Sequence, residues 1–439
     1  MSAEVKGRNV TVMGLGRFGG GVGLTRWLVA RGARVLLTDR ESPKDLGSSL
    51  ARIDDLVQSG QVILRLGGHD ARDFAKTDMV VVNPAVATPW ANEFVQAAFD
   101  AGVHVATEIG LLCQRLPNRR RTIGVTGSVG KSTTSAMIHH VLRECGRPVV
   151  FGGNIGGTLL GALDSGELTP DHWVVLELSS AMLYWLSGWS PHVAVVTNLV
   201  TNHVDWHGTI EHYRQSKQQI LASQREGDIA VLGETLGNWA TVAGVDRRVM
   251  PAGAALDALA LPGRHNRSNA ALAVAGVLAA DPAISAGQAQ ASVRTFAGLS
   301  HRLERVGVFA GIACFNDYKS TTPESTMLAL EAFGESVGMG RVHLIAGGYD
   351  KGADLTPVAK AAGALAGLYT IGQTGPTIAA AAGGAALECE TLEVAVKRAR
   401  ERAKPGDVLL LSPACASWGQ FENFERRGEL FVKLVKGIA

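Results

Sequence analysis

Gly124-Val-Thr-Gly-Ser-Val-Gly-Lys-Ser-Thr-Thr134 holds the residue types that grip a nucleoside triphosphate. Gly127 and Gly130 free the backbone to wrap phosphate oxygens in N–H groups, drawing in Ser128 and Val129. Lys131 adds a point charge for the terminal phosphates, Ser132 a hydroxyl for Mg²⁺, and Thr133 continues the stretch. The segment departs from the pattern G-x-x-x-x-G-K-[ST], because Val125 stands where the first glycine belongs. Either it is a nucleotide site of another class, or it is a glycine turn with an accidental Lys-Ser.

Other groups suit the same chemistry. Glu177 interrupts the apolar run Trp173-Val-Val-Leu-Glu-Leu178, and a buried carboxylate must meet a cation, a donor or water. A metal ligand and a structural ion pair are both open readings. His203, Asp205 and His207 follow Thr197-Asn198 as ligand candidates or as a hydrated loop. Asn266 and Asn269, three apart at a helix start, share a face; capping accounts for one of them. Asp317, Lys319 and Thr321 follow a strand, as do Ser412 to Ser417. No Ser-His-Asp arrangement and no zinc motif emerges, and the inventory suits positioning and neutralising phosphate.

The elements that must carry these groups alternate strand and helix. Asn9–Met13 reads as a strand, Gly14-Leu-Gly-Arg-Phe-Gly19 as the G-x-G-x-x-G turn, then a helix to Ala30 and a strand from Arg34 ending in Asp39. Alone, this βαβ unit suggests a nicotinamide dinucleotide enzyme. Further strands are expected at 79–82, 103–106, 121–126, 173–178, 193–197, 229–232, 312–315, 342–346, 368–371 and 408–411, with helices at 132–145 and 269–280. The pattern predicts an α/β protein of three domains: a Rossmann-like N-terminal domain (1–117), a central P-loop ATPase-like domain (118–298) and a Rossmann-like C-terminal domain (299–439). Arg119-Arg-Arg121 reads as a solvated linker edge between the first two.

At 439 residues the chain exceeds one hydrophobic core, and its net charge of +2 offers no reason to expect nucleic acid. Five scattered cysteines, no signal peptide and no span long enough for a bilayer point to a cytoplasmic protein without a membrane partner.

Together these stretches resemble the Mur ligase family over essentially the whole chain. The family's cradle is T-G-x-x-G-K-[ST], which Thr126 to Ser132 satisfies. Gly152 to Gly156 (GGNIG), Leu176 to Ser180 (LELSS), Gly263 to Asn269 (GRHNRSN), Ser300 to Glu304 (SHRLE), Asn316 to Thr321 (NDYKST) and Leu411 to Phe431 also match. The resemblance implies an ATP-dependent carboxylate–amine ligase that adds D-glutamate to UDP-N-acetylmuramoyl-L-alanine through an acyl phosphate, in peptidoglycan precursor synthesis. It implies small-molecule substrates, ATP, two Mg²⁺ ions and a monomer. By the same resemblance, Gly14, Leu15, Gly16, Thr38, Asp39, Asn154 and Ser179 would hold the UDP-sugar. Gly127 to Thr133, Asn266, Asn269, Arg302 and Asp317 would hold ATP, and Ser132, Glu177, His203 and Lys217 the metal. Lys319, Thr321, Lys351, Ser417 and Phe424 would hold the amino acid. Lys131, His203, Lys217 and Arg302 would be catalytic, with Lys217 carbamylated; from the sequence itself Lys217 is an ordinary helix-surface lysine. The chain departs from the family at Tyr318, where serine is usual, at Ala181-Met182-Leu183 for Phe-Gln-Leu, at Asn83-Pro84-Ala85 for Ser-Pro-Gly, and at Gly233-Glu234. A ligase for another amino acid (such as L-glutamate) or acyl donor, and a non-ligating P-loop regulator, are the alternatives.

Overall fold

A computed structural model describes residues 5–16, 20–155, 157–200, 204–251, 253–261, 263–299, 303–350 and 352–437. Its strands form three sheets. The first contains β1 (Asn9–Met13), β2 (Arg34–Asp39), β3 (Val62–Leu66), β4 (Met79–Val82) and β5 (His104–Ala106), ordered β3-β2-β1-β4-β5 and parallel throughout. The second contains β6 (Thr122–Thr126), β7 (Val149–Gly153), β8 (Trp173–Glu177), β9 (Val193–Val196), β10 (Ile229–Leu232) and β11 (Asp246–Val249). It is also parallel, in the order β11-β10-β9-β6-β8-β7. The third contains β12 (Glu304–Phe309), β13 (Ile312–Asn316), β14 (Val342–Gly347), β15 (Gly367–Ile371), β16 (Ala386–Glu390) and β17 (Val408–Leu411), ordered β12-β13-β17-β14-β15-β16. Among the described residues, only its β12–β13 hairpin is antiparallel.

The sequence explains this. Met79-Val-Val-Val82, Val193-Ala-Val-Val196 and Val408-Leu-Leu-Leu411 are apolar at every position and buried at every position. Strands of that kind need cover on both faces, which helical crossovers in a parallel sheet provide. The edge strand β11, Asp246-Arg-Arg-Val249, is exposed throughout, and its charges oppose pairing with another chain.

The three expected α/β domains are therefore present. The first two sheets share one continuous core, running from Val10 and Leu37 through Leu176 and Val196 to Leu232. For that reason residues 1–254 and 271–292 make one compact unit, and 255–270 with 293–439 make a second, with its own core around Ile345, Tyr369, Leu411 and Phe431.

Arg119–Arg121 is not a solvated edge. It forms a short 3-10 turn in which the Arg119 guanidinium donates to both oxygens of Asp228, at 2.8 and 2.9 Å, and to the Ser190 carbonyl at 3.1 Å. The Arg121 guanidinium lies 5.0 Å from the Trp173 ring centroid. The Asp228 side chain is 2% exposed and needs that countercharge; only Arg120 faces solvent.

Candidate active site

In the second sheet β6 lies between β8 and β9, so the loop after β6 opens at the point where strand order reverses, the usual place for a ligand in such sheets. Gly127 has φ +145°, and a Cβ there would collide with the Thr197 hydroxyl. Gly130, at φ +83°, caps the helix Lys131–Glu144, whose first N–H groups and positive dipole end suit an anion. The loop is pinned from β9. The Val129 N–H donates to Asn198 Oδ1 at 3.0 Å, and its carbonyl accepts from Thr197 Oγ1 at 2.6 Å and Asn198 Nδ2 at 3.0 Å. The Ser128 hydroxyl accepts from the Val200 N–H and from the Tyr213 phenol, both at 2.9 Å. The Lys131 ammonium donates to the Ser128 carbonyl at 3.0 Å, Ser132 is buried, and Thr133 is half-buried.

Glu177 ends β8 and is 1% exposed. Its Oε1 accepts from Asn154 Nδ2 at 2.9 Å, whereas its Oε2 is buried without a partner among the described residues. An ionised oxygen left so is costly, and a hard cation is the natural complement. Ser179, two residues on, caps the short helix Ser180–Tyr184 by accepting from the Met182 N–H at 3.2 Å.

Lys217 is the principal correction to the sequence reading. Thr209 caps the helix Ile210–Ala222, which places Tyr213 and Lys217 one turn apart on its inner face. Lys217 is 1% exposed; its Nζ donates to the Gly127 carbonyl at 2.7 Å and lies 4.6 Å from the Tyr213 ring centroid. Burial, followed by the charge of Lys131, pushes its pKa from 10.5 down to about 6, which Glu177 offsets only in part. Tyr213, which sequence reasoning passed over, holds both Ser128 and Lys217; its spacing of four from Lys217 was the available signal.

No group of three or more His, Cys, Asp or Glu side chains is poised around a cation among the described residues. What the structure offers instead is one half-satisfied carboxylate, Glu177, within electrostatic reach of a buried lysine near neutrality, with Ser132 buried in the first turn of the helix that follows the loop. That set fits Mg²⁺ once Lys217 carries an oxygen anion.

His207 does not lie in a hydrated loop. It is buried, with Nε2 2.9 Å from Ser180 Oγ and Nδ1 2.9 Å from His212 Nδ1. His203 lies outside the described residues, as do Arg302 and Lys351, and the Asp205 side chain is likewise not described.

In the first sheet Gly14 and Gly16 take φ of +98° and +74° in the loop after β1. Asp39, at the end of β2, folds its carboxylate onto that loop. Its Oδ2 accepts from the N–H groups of Leu15 (2.9 Å) and Gly16 (3.0 Å), and Oδ1 from the Glu41 N–H at 3.0 Å. The neighbouring Thr38 hydroxyl pairs with His69 Nδ1 at 2.7 Å.

In the second unit Asn266 and Asn269 both lie inside the helix Arg264–Ala280, buried and 3.4 Å apart at their amides, so neither is its cap. A Glu335 carboxylate oxygen accepts from the Arg264 N–H instead, at 2.9 Å. Asp317 is buried beyond β13; its Oδ2 accepts from the Ser320 hydroxyl and from Ser412 Oγ (2.8 Å), and its Oδ1 from the Leu303 N–H (3.1 Å). The Lys319 ammonium stands 6.0 Å from the Phe424 ring centroid, the Thr321 N–H donates to the Lys319 carbonyl at 2.9 Å, and Ser417 is buried near the end of β17. Arg427, absent from the sequence reading, is fully buried in the helix Phe424–Lys436.

No helix among the described residues is long and apolar enough to cross a membrane. Residues 8–107 match the Mur ligase MurD-like N-terminal domain, 125–246 the Mur ligase middle domain, and 301–415 the Mur ligase glutamate ligase domain. The chain is 36% identical, over 98% of both chains, to a UDP-N-acetylmuramoylalanine--D-glutamate ligase of Pelotomaculum thermopropionicum. It is 37% identical, again over 98% of both, to the protein of the same name in Anaeromyxobacter dehalogenans. Among solved structures, the UDP-N-acetylmuramate-alanine ligase of Thermotoga maritima superposes with a TM-score of 0.60 at 19% identity, over 98% of this chain and all of that one. MurF of Acinetobacter baumannii gives 0.57 at 18%, over 83% of this chain and 93% of that one. At such identities the likeness is one of fold.

Proposed function

Because the chain belongs to the Mur ligase family, we propose that it is an ATP-dependent ligase adding D-glutamate to UDP-N-acetylmuramoyl-L-alanine. The family uses ATP and Mg²⁺ and acts on small molecules. The name borne by the curated relatives favours this acyl donor and amino acid. The observation that carries the reading is Lys217, a buried lysine near neutrality, bonded to the phosphate loop and within the electrostatic reach of Glu177.

In the proposed mechanism, the alanyl carboxylate attacks the γ-phosphorus of ATP, the bond to the bridging oxygen breaks, and ADP leaves. The acyl phosphate then meets the glutamate amine at its carbonyl carbon. The tetrahedral adduct collapses to the amide, expelling phosphate while the amine proton passes to solvent. Gly127 to Thr133 position the triphosphate, and Lys131 balances charge on the transferring group, with Arg302 assigned the same task. Lys217, as a neutral amine, adds to CO₂ with loss of a proton and becomes a carbamate. Ser132, Glu177, that carbamate and His203 would hold two Mg²⁺ ions. Bound there, Mg²⁺ neutralises phosphate oxygens. Asn154 orients Glu177.

Gly14, Leu15, Gly16, Thr38, Asp39, Asn154 and Ser179 are assigned to the UDP-sugar, Asn266, Asn269 and Asp317 to ATP, and Lys319, Thr321, Lys351, Ser417 and Phe424 to the amino acid. Domain limits of 1–117, 118–298 and 299–439, a monomer and a cytoplasmic location complete the proposal. Phosphate release with ATP, Mg²⁺ and UDP-N-acetylmuramoyl-L-alanine, with D-glutamate present, absent or replaced by L-glutamate, tests it. Release requiring both co-substrates and lost in Lys131→Ala is expected. Release indifferent to them would indicate a nucleotide-binding regulator, and release with L-glutamate alone would overturn the substrate.

A further inference from the structure

We propose that Arg427 is a positioning residue that assembles the amino-acid site and biases it toward an acidic amino acid. The inference rests on the function proposed above. No carboxylate pairs with the buried guanidinium among the described residues. It is satisfied by three main-chain carbonyls: Cys415 at 3.0 Å and Tyr318 at 3.3 Å from Nη2, and Ala416 at 3.3 Å from Nη1, while Nε has no partner. Those carbonyls are not arbitrary. Tyr318 immediately precedes Lys319, Ala416 immediately precedes Ser417, and Arg427 itself follows Phe424 by three residues on one helix.

A further segment joins the same point. The Tyr349 N–H donates to the Ala416 carbonyl at 2.8 Å, and a Cβ on Gly348 would stand 3.1 Å from Nη1. One side chain therefore ties together the segments on which Lys319, Ser417 and Phe424 are carried, and the one that leads toward Lys351.

Tyr318 sets the register of the helix. Its ring packs so close to Gly428 that a Cβ there would fall within the ring, and it lies 5.7 Å from the Phe424 ring. Any residue larger than glycine at 428 would lift Arg427 away from its carbonyls.

A charge buried without a countercharge is a poor way to gain stability, since an apolar side chain of similar volume would fill the space at lower cost. Its use is electrostatic and geometric. The guanidinium orients three peptide dipoles and leaves a net positive charge at the junction, and glutamate brings two carboxylates and a net negative charge.

The experiment compares wild type, Arg427→Lys and Arg427→Met in full ligation, with D-glutamate or D-glutamine as acceptor, alongside ATP titration and thermal unfolding. In Arg427→Met, KM for D-glutamate should rise at least about tenfold, and the preference for glutamate over glutamine should shrink about as much, with KM for ATP within about twofold. Arg427→Lys, which keeps the charge and loses the fork, should retain the glutamate preference while KM rises. That variant carries the test if Arg427→Met fails to fold. An unchanged KM for glutamate, or a loss of all parameters in parallel with Tm at unchanged acceptor preference, would overturn the role of Arg427. A wild type that does not consume D-glutamate at all would instead sink the ligase reading, and this inference with it.

Discussion

The carbamylation proposed for Lys217 makes a demand on pH that can be worked through. Only the neutral amine adds to CO₂. With a pKa of about 6, roughly nine-tenths of Lys217 is neutral at pH 7, whereas a lysine at 10.5 would be neutral to only about three parts in ten thousand. The folded environment therefore raises the reactive fraction at pH 7 about three-thousandfold, and the shift itself corresponds to ~6 kcal/mol in the free energy of deprotonation. Because the folded pKa is depressed, the reactive form dominates above about pH 6 and declines about tenfold per unit below it. Protein prepared in CO₂-free buffer should have little ligase activity and recover when CO₂ is supplied. With dissolved CO₂ held constant and the carbon isotopically labelled, the initial rate of carbamate formation followed by carbon NMR should reach half its maximum near pH 6. A midpoint near 10, or carbamate absent while activity is full, would refute the account; Lys217→Arg, which cannot form the adduct, should show neither signal nor activity.

Three further outcomes follow from the geometry. Gly127→Ala places a Cβ into Thr197 at a φ of +145°, so Tm should fall by an amount corresponding to about 1–3 kcal/mol and ATP affinity should drop; wild-type nucleotide affinity would contradict the cradle. Glu177→Gln keeps an acceptor for Asn154 but removes the charge beside the orphan oxygen. The Mg²⁺ concentration for half-maximal activity should rise about tenfold, and an unchanged Mg²⁺ titration would remove Glu177 from the metal site. At Asp228 burial pushes the pKa up, but hydrogen bonds from Arg119 and then His192 outweigh it, so the carboxylate titrates below 3.8. Its stabilisation is complete above the unfolded value and lost as pH falls through the folded one. Asp228→Asn should therefore cost about 3–5 kcal/mol at neutral pH, as breaking a buried pair does, with the deficit closing in acid; thermal unfolding across pH checks both.

The strands were legible because their signal is local. Unbroken apolar runs, and glycines where the chain turns from strand to helix, place β1, β2, β6, β9, β10 and β17 within a residue of their observed bounds. The glycine loop between β6 and the helix that follows it was legible for the same reason. Lys217 was not, since its burial is decided by a carbonyl ninety positions away, while its neighbours His212-Tyr-Arg-Gln-Ser-Lys-Gln-Gln219 read as a polar helix. His207 and Arg119 were misread in like manner, each a polar side chain taken for solvated and found against a distant partner. The asparagine pair fails differently: spacing placed both on one face, but the helix begins earlier, so neither is its cap.

Asp39 has a consequence for how ligand preference could change. In a dinucleotide-binding βαβ unit the acid at the end of the second strand is kept for a ribose hydroxyl. Here both its oxygens are engaged by the protein's own amides at Leu15, Gly16 and Glu41. The glycine loop is wired from inside, and the acid acts as a brace for it. Grafting a nicotinamide cofactor onto this sheet would therefore require more than reshaping a pocket. A ribose hydroxyl would have to use the acceptor site that Oδ1 keeps open, because pulling Oδ2 from the Leu15 and Gly16 amides would release the loop that the diphosphate needs.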